Sequence, residues 1–222
     1  MKTKRKDTLE TKDIYIIRHG ETEFNKRGMV QGSGIDANLN EFGKSQATAF
    51  FDYYSHIPFD KVYTSQLVRT HQSVQKFIQD LQLPWQQLFG LNEISWGHKE
   101  GRVLTDADDQ SYFEMVDGWR KGETFRKPEG GESPEEVQLR QATAWKYLMS
   151  NLHEKKVLVC MHGRAMRILL CLLMGEELRN MDDYKHQNLC LYHLRCENGK
   201  YSIVNQNSVE HLKDLQEPIF SE

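Results

Sequence analysis

The chain has 222 residues, 29 Lys and Arg against 32 Asp and Glu, and a formal net charge of −3, with 38% hydrophobic and 27% charged residues. That length accommodates one large domain with a substantial core, and the near balance of charge lacks the basic excess of a nucleic-acid binder. No apolar stretch approaches the roughly 20 residues that cross a bilayer, so neither nucleic acid nor membrane is expected as a partner.

The N-terminal run "MKTKRKD" is basic but lacks the apolar region of a signal peptide, and residues 1–11 read as a disordered tail ahead of a single domain at 12–222. Ile14 to Ile17 form a short β-branched run of the kind found in strands buried on both faces, and "VLVCM" at 157–161 is a second; both run straight into His-Gly. Between them, residues 40–56 predict a helix with Asn40 as its N-cap, 60–65 a strand, and 66–81 an amphipathic helix capped by Ser65. Residues 94–132 fit no regular element and carry Trp96, Lys99, Arg102, Tyr112, Trp119, Arg120 and Arg126, which suggests an inserted lid over one end of the sheet. Ser133-Pro134-Glu135-Glu136 predicts a capping box with proline at the first helical position, opening a helix to about His153. "GRAMRILLCLLMG" predicts a helix closed by Gly175, and 189–205 a hairpin turning at Asn198-Gly199. The four cysteines, Cys160, Cys171, Cys190 and Cys196, lack the spacing of a zinc or disulfide framework and read as reduced core thiols of a cytoplasmic protein. An α/β fold, its sheet mostly parallel with an antiparallel edge, accounts for these pieces together.

Ligands of such sheets collect at the carboxyl ends of the strands, where both His-Gly pairs fall. Gly20 and Gly163 let the backbone come close to a bound group, and the amides that follow can face an anion. Arg18 adds fixed charge beside His19. Arg69 stands one turn into the helix after "VYTS", within reach of the same sheet end for bidentate phosphate contact. Glu93 begins the irregular segment, as a loop salt-bridge partner or, in a pocket that favours its protonated form, a general acid.

"RHGET" at 18–22, Asn25, "TSQLVRT" at 64–70, "EISWGHKEG" at 93–101, "GGES" at 130–133 and "MHG" at 161–163 closely resemble the histidine phosphatase superfamily, the phosphoglycerate mutase-like enzymes, from about residue 12 to about residue 212. The resemblance implies a three-layer α/β/α sandwich and a phosphohistidine mechanism. His19 would be the nucleophile, Glu93 the proton donor, and Arg18, Arg69 and a protonated His162 the phosphoryl-binding groups, with Asn25 and Gly163 assisting. His19 would then need a carbonyl near Gly20 to set its tautomer, and with the positive charge supplied by side chains no metal or cofactor is expected.

Three features favour phosphatase over mutase: "KRGMVQG" after Asn25 in place of a Thr-Gly-Trp segment, no Arg-Arg-Ser-Tyr run in the insertion, and "HGRAMR" in place of His-Gly-Asn-Ser-Leu-Arg. A cofactor-dependent mutase and an inactive phospho-ligand or protein-binding module are the alternatives. Gln31 and Gly32 fall where substrate would be met, in a segment "QGSGIDANL" one residue longer than usual. Arg164 replaces a common glycine and is expected to project toward the pocket. With Lys99, Arg102, Arg120 and Arg126 nearby in sequence, it suggests a small substrate with a second acidic group, such as a sugar bisphosphate or phosphoglycerate. Monomer and dimer stay equally open.

Overall fold

The computed structural model describes residues 11–102 and 106–215; the basic run at 1–10 lies outside them. Its sheet comprises β1 (Thr11–Arg18), β2 (Lys61–Thr64), β3 (Trp85–Gln87), β4 (Lys156–Met161), β5 (Leu191–Glu197) and β6 (Lys200–Ser208) in the order β3-β2-β4-β1-β5-β6. The first four strands are parallel, and β5 and β6 form the antiparallel edge. Thr11, which the sequence places in the tail, is instead the first residue of β1 and pairs with Glu197.

The helices are a single turn α1 (Glu23–Lys26), α2 (Glu41–Tyr54), α3 (Val68–Gln79), α4 (Asp106–Arg120), α5 (Pro134–Ser150) and α6 (Gly163–Met174). They cover both faces, so β4 has no polar side: Val157, Val159 and Met161 join Trp145, Leu148 and Leu169 in one core, while Leu158 and Cys160 meet Phe50, Val74 and Phe77 in the other. This is the expected three-layer sandwich. All four cysteines are buried free thiols. Both turn residues of the β5–β6 hairpin take positive φ, Asn198 at 52° and Gly199 at 79°, as a two-residue type I′ turn requires.

Three elements depart from the sequence reading. β3 has only three residues, "WQQ", at the outer edge, with neither β-branched residues nor a buried face to reveal it. Ser65 does not cap α3, because the helix begins later, at Val68, whose N–H donates to Asp36 Oδ1 at 2.7 Å. The 94–132 segment is not wholly irregular: it contains α4, which turns Met115, Val116 and Trp119 into the core beside Trp96. The ring centroids of Trp96 lie 5.5 Å from Tyr112 and 6.0 Å from Trp119, so the aromatics seat the insertion instead of facing solvent.

At the start of α5 the capping box is complete, with Ser133 Oγ accepting from Glu136 N at 3.2 Å and Glu136 Oε2 accepting from Ser133 N at 2.8 Å. Ser133→Ala is expected to lower the unfolding free energy by about 1 kcal/mol, read from urea titration followed by circular dichroism; an unchanged midpoint would contradict the cap's contribution.

Candidate active site

β1 and β4 pair with Arg18 opposite Met161, and His19 N donates to Met161 O at 3.0 Å. The next residue on each strand therefore leaves the sheet beside the other, and the rings of His19 and His162 stand 5.1 Å apart. Arg69, on the first turn of α3, reaches across and donates from Nε to His162 Nδ1 at 3.2 Å. His19, His162 and Arg69 are almost wholly buried.

The hydrogen bonds determine the tautomers. Gly20 O can only accept, so the 2.7 Å contact with His19 Nδ1 places the proton there and leaves the lone pair of the neutral ring on Nε2. This is the carbonyl the sequence reading required. An arginine only donates, so His162 Nδ1 is an acceptor and Nε2 carries the proton, 2.8 Å from Ser65 Oγ. Burial pushes both histidines well below the ordinary imidazole range, with Arg69 adding to the effect in each. The expected protonated His162 is thus replaced by a neutral one, because two arginines and a second histidine crowd the same dry space. Burial also lowers Arg69 to about 10, against the opposing pull of Glu93 and Asp36.

Glu93 is buried, but its surroundings are not apolar. Oε1 accepts from Ile94 N at 3.0 Å and Ala165 N at 2.8 Å, and Oε2 accepts from Arg164 N at 3.1 Å. The carboxyl group thus sits on the N-terminus of α6, where its oxygens take up amides that the helix leaves open. Arg140 on α5 fastens the segment before it, donating to Gly90 O, Asn92 O and Glu93 O at 3.0, 3.0 and 2.9 Å.

Arg164 does not project freely toward the pocket. Its Nη1 lies 2.5 Å from Asp182 Oδ1, Nη2 donates to Tyr112 Oη at 3.3 Å, and the guanidinium sits 5.4 Å from the centre of the Trp119 ring. Among the other insertion cations, Lys99 bonds Ser111, Arg126 pairs with Glu123 at 2.6 Å, and Arg120 lies 3.5 Å from Asp182. Asn25 closes a capping box with Thr22 through its side-chain oxygen, which also accepts from Asn188 Nδ2 at 3.2 Å. Gln31 Oε1 accepts from Thr22 Oγ1 at 2.9 Å. Gly32 offers its carbonyl to Arg69 Nη2 at 3.2 Å, and a Cβ on it would collide with Glu100 Oε1.

Several residues at this site carried no sequence signal. His186 accepts from Arg18 Nη1 at 3.3 Å, and a Cβ on Gly163 would come within 2.7 Å of its ring, so close packing leaves no room for a side chain at 163. Asn188 Nδ2 donates to His19 O at 3.0 Å, and Ser73 Oγ accepts from Gly20 N at 2.9 Å. No His-Gly pair, cap or apolar period points to any of them. Among the described residues, no three His, Cys, Asp or Glu side chains are grouped to hold a metal ion, and no helix is long and apolar enough to cross a membrane.

The model of the histidine phosphatase superfamily (branch 1) matches residues 14–209. Fructose-2,6-bisphosphatase TIGAR of Xenopus tropicalis is 33% identical over 143 residues, covering 61% of this chain and 49% of that protein. The 2,3-bisphosphoglycerate-dependent phosphoglycerate mutase of Bartonella bacilliformis is 28% identical over 73% of this chain and 81% of its own length. The chain thus spans about half the length of the TIGAR proteins it matches. An alpha-ribazole phosphatase from Shigella flexneri superposes with a TM-score of 0.78 over 88% of this chain and 96% of that one, at 24% identity, and shares the fold. The match over residues 14–209 and the shared sandwich lead to one conclusion: the chain belongs to the histidine phosphatase superfamily.

Proposed function

We propose that the chain is a phosphomonoester hydrolase that works through a phosphohistidine on His19 and acts on a small phosphorylated metabolite. The observation that carries this reading is the Nδ1–H of His19 donating to Gly20 O, which leaves Nε2 as a neutral nucleophile among arginines. Nε2 attacks phosphorus, the bond to the substrate oxygen breaks, and the leaving oxygen takes a proton from Glu93. Water then attacks the phosphohistidine, Glu93 receives its proton, and phosphate departs from a regenerated His19.

Arg18 and Arg69 stabilise the equatorial oxygens. Arg69 exchanges its present acceptors, Ile35 O at 2.6 Å and Gly32 O, for the incoming phosphoryl group. That dianion also supplies the opposite charge that lets His162 take up a proton, so the role expected of it belongs to the liganded state. The "KRGMVQG" and "HGRAMR" stretches and the phosphatase names among the relatives support hydrolysis over transfer to a second hydroxyl. The second reading, a mutase, draws on the phosphoglycerate mutases at 28% and 31% identity. The bisphosphatase and phosphoglycerate mutase names among the relatives support a sugar bisphosphate or phosphoglycerate as the substrate class.

Rapid quench with a 32P-labelled phosphomonoester is expected to trap acid-labile, base-stable label on the wild type and none on His19→Ala, whose kcat falls by at least about 1000-fold. A wild type that shows neither label nor turnover across sugar phosphates, phosphoglycerates and aryl phosphates would overturn the reading; isomerised product in place of released phosphate would select the mutase. In the unliganded protein, depressed pKa values mean that His19 and His162 stay neutral as pH falls past 6.5. Their imidazole NMR shifts are therefore expected to hold steady from pH 7.5 to about 5.5, whereas an inflection near 6.5 in either would show that burial and Arg69 do not control it.

A further inference from the structure

The largely buried arginines differ in what holds them. Arg140 donates to Glu132 at 2.9 Å, and Arg164 and Arg167 reach Asp182 Oδ1 at 2.5 and 2.6 Å, so a carboxylate both orients and offsets each guanidinium. The two arginines of the proposed phosphoryl site are held by neutral acceptors instead. Arg69 donates to Ile35 O, Gly32 O and His162 Nδ1. Among the described residues Arg18 has one side-chain hydrogen bond, from Nη1 to His186 Nδ1 at 3.3 Å, and its Nε is buried with no partner. A carboxylate in the place of His186 would fix the same guanidinium but cancel much of the charge that a phosphoryl group needs.

His186 is itself firmly placed. On one side, Lys185 O accepts from the Oη of the fully buried Tyr192 at 2.5 Å. On the other, Asn188 Nδ2 donates to His19 O at 3.0 Å, Leu189 N donates to Arg18 O at 3.1 Å, and Cys190 O accepts from Arg18 N at 3.3 Å. Leu189 is buried with φ at 55°, a left-handed conformation that is costly for leucine and persists only where the surroundings impose it. The imidazole packs on the start of α6, where a Cβ at Gly163 would lie 2.7 Å from His186 Cε1. Residues 185–190 therefore grip Arg18 and His19 by the backbone and Arg18 by its side chain as well.

An arginine only donates, so Nδ1 of His186 carries a lone pair and Nε2 the proton. Burial first, then Arg18, Arg167 and Arg164, keep this ring from charging and lower its pKa to about 2. We propose that His186 is a positioning residue for phosphoryl transfer, orienting Arg18 through a neutral acceptor so that the guanidinium meets the phosphoryl group with its charge undiminished. This role rests on the phosphomonoesterase reading and adds to it a residue that acts through Arg18. Orientation and charge, which one carboxylate would trade against each other, are kept separate by the imidazole.

The test compares three variants by equilibrium binding of inorganic phosphate, followed by 31P NMR titration. His186→Asn, whose Oδ1 falls near the place of Nδ1, is expected to bind within about threefold of the wild type. His186→Leu removes the acceptor and should weaken binding about tenfold. His186→Asp keeps the hydrogen bond and should weaken binding about as much, because its charge offsets that of Arg18. A purely structural role would instead place His186→Asp with His186→Asn. The proposal is overturned if His186→Leu binds within about twofold of the wild type, or if His186→Asp matches His186→Asn. Should the variants fail to fold, imidazole 15N NMR of the wild type decides. His186 is expected as the Nε2–H tautomer, with an Nδ1 resonance that shifts as phosphate binds. A proton on Nδ1, which could not accept from Arg18, or a resonance unmoved by saturating phosphate would overturn the role. A wild type that neither binds phosphate nor forms the phosphohistidine would overturn the phosphatase reading, and the role of His186 with it.

Discussion

The site depends on one pairing, the parallel register of β1 with β4 that sets Arg18 opposite Met161. Both strands are apolar on both faces, so the two cores fix their register: a one-residue slip would turn Val157, Leu158 and Val159 into the wrong layers. The register brings His19 and His162 out of the sheet together. It also starts α6 immediately beyond His162, which gives Glu93 the amides of Arg164 and Ala165. Arg69, by contrast, comes from α3 and enters the same space from the side. The site is assembled at the carboxyl ends of the two central strands because the apolar runs stop there.

Cations in a dry pocket keep the histidines neutral, and that is useful for one and conditional for the other. In its proposed role His19 needs a free lone pair, which burial and the two arginines preserve. His162 shares the environment but has its own lone pair occupied by Arg69, and Ser65 faces its other nitrogen. Identical side chains at matching strand ends therefore carry the proton on different ring nitrogens, Nδ1 in His19 and Nε2 in His162.

Elements with a local physical signature were legible in the sequence. The buried strands, the Ser133–Glu136 box, the Asn40 cap, the Gly175 stop and the Asn198–Gly199 turn each depend on neighbours in the chain, and each stands where it was expected. The paired His-Gly ends pointed to the site for the same reason. What was not legible depends on residues far apart: β3 exists only because β2 offers it an edge, and α4 takes its apolar face from contacts with Trp96. The direction of Arg164 is set by Asp182, 18 residues on, and His186 finds Arg18 across 168 positions. Ser65 looked like a cap because a serine before a helix usually is one; its hydroxyl does accept from Leu67 N at 3.1 Å, but Leu67 takes the cap position and the helix begins at Val68.

In the unliganded protein Arg69 holds the carbonyls of Gly32 and Ile35 with the guanidinium that phosphate would claim. The 32–35 loop and the Arg69 guanidinium are thus one mechanical unit. Lengthening, shortening or exchanging residues 31–36 to suit a different substrate would also reset how readily Arg69 lets go. If Arg69 holds phosphate as proposed, substrate fit and turnover change together, and neither can be redesigned while the other is left alone.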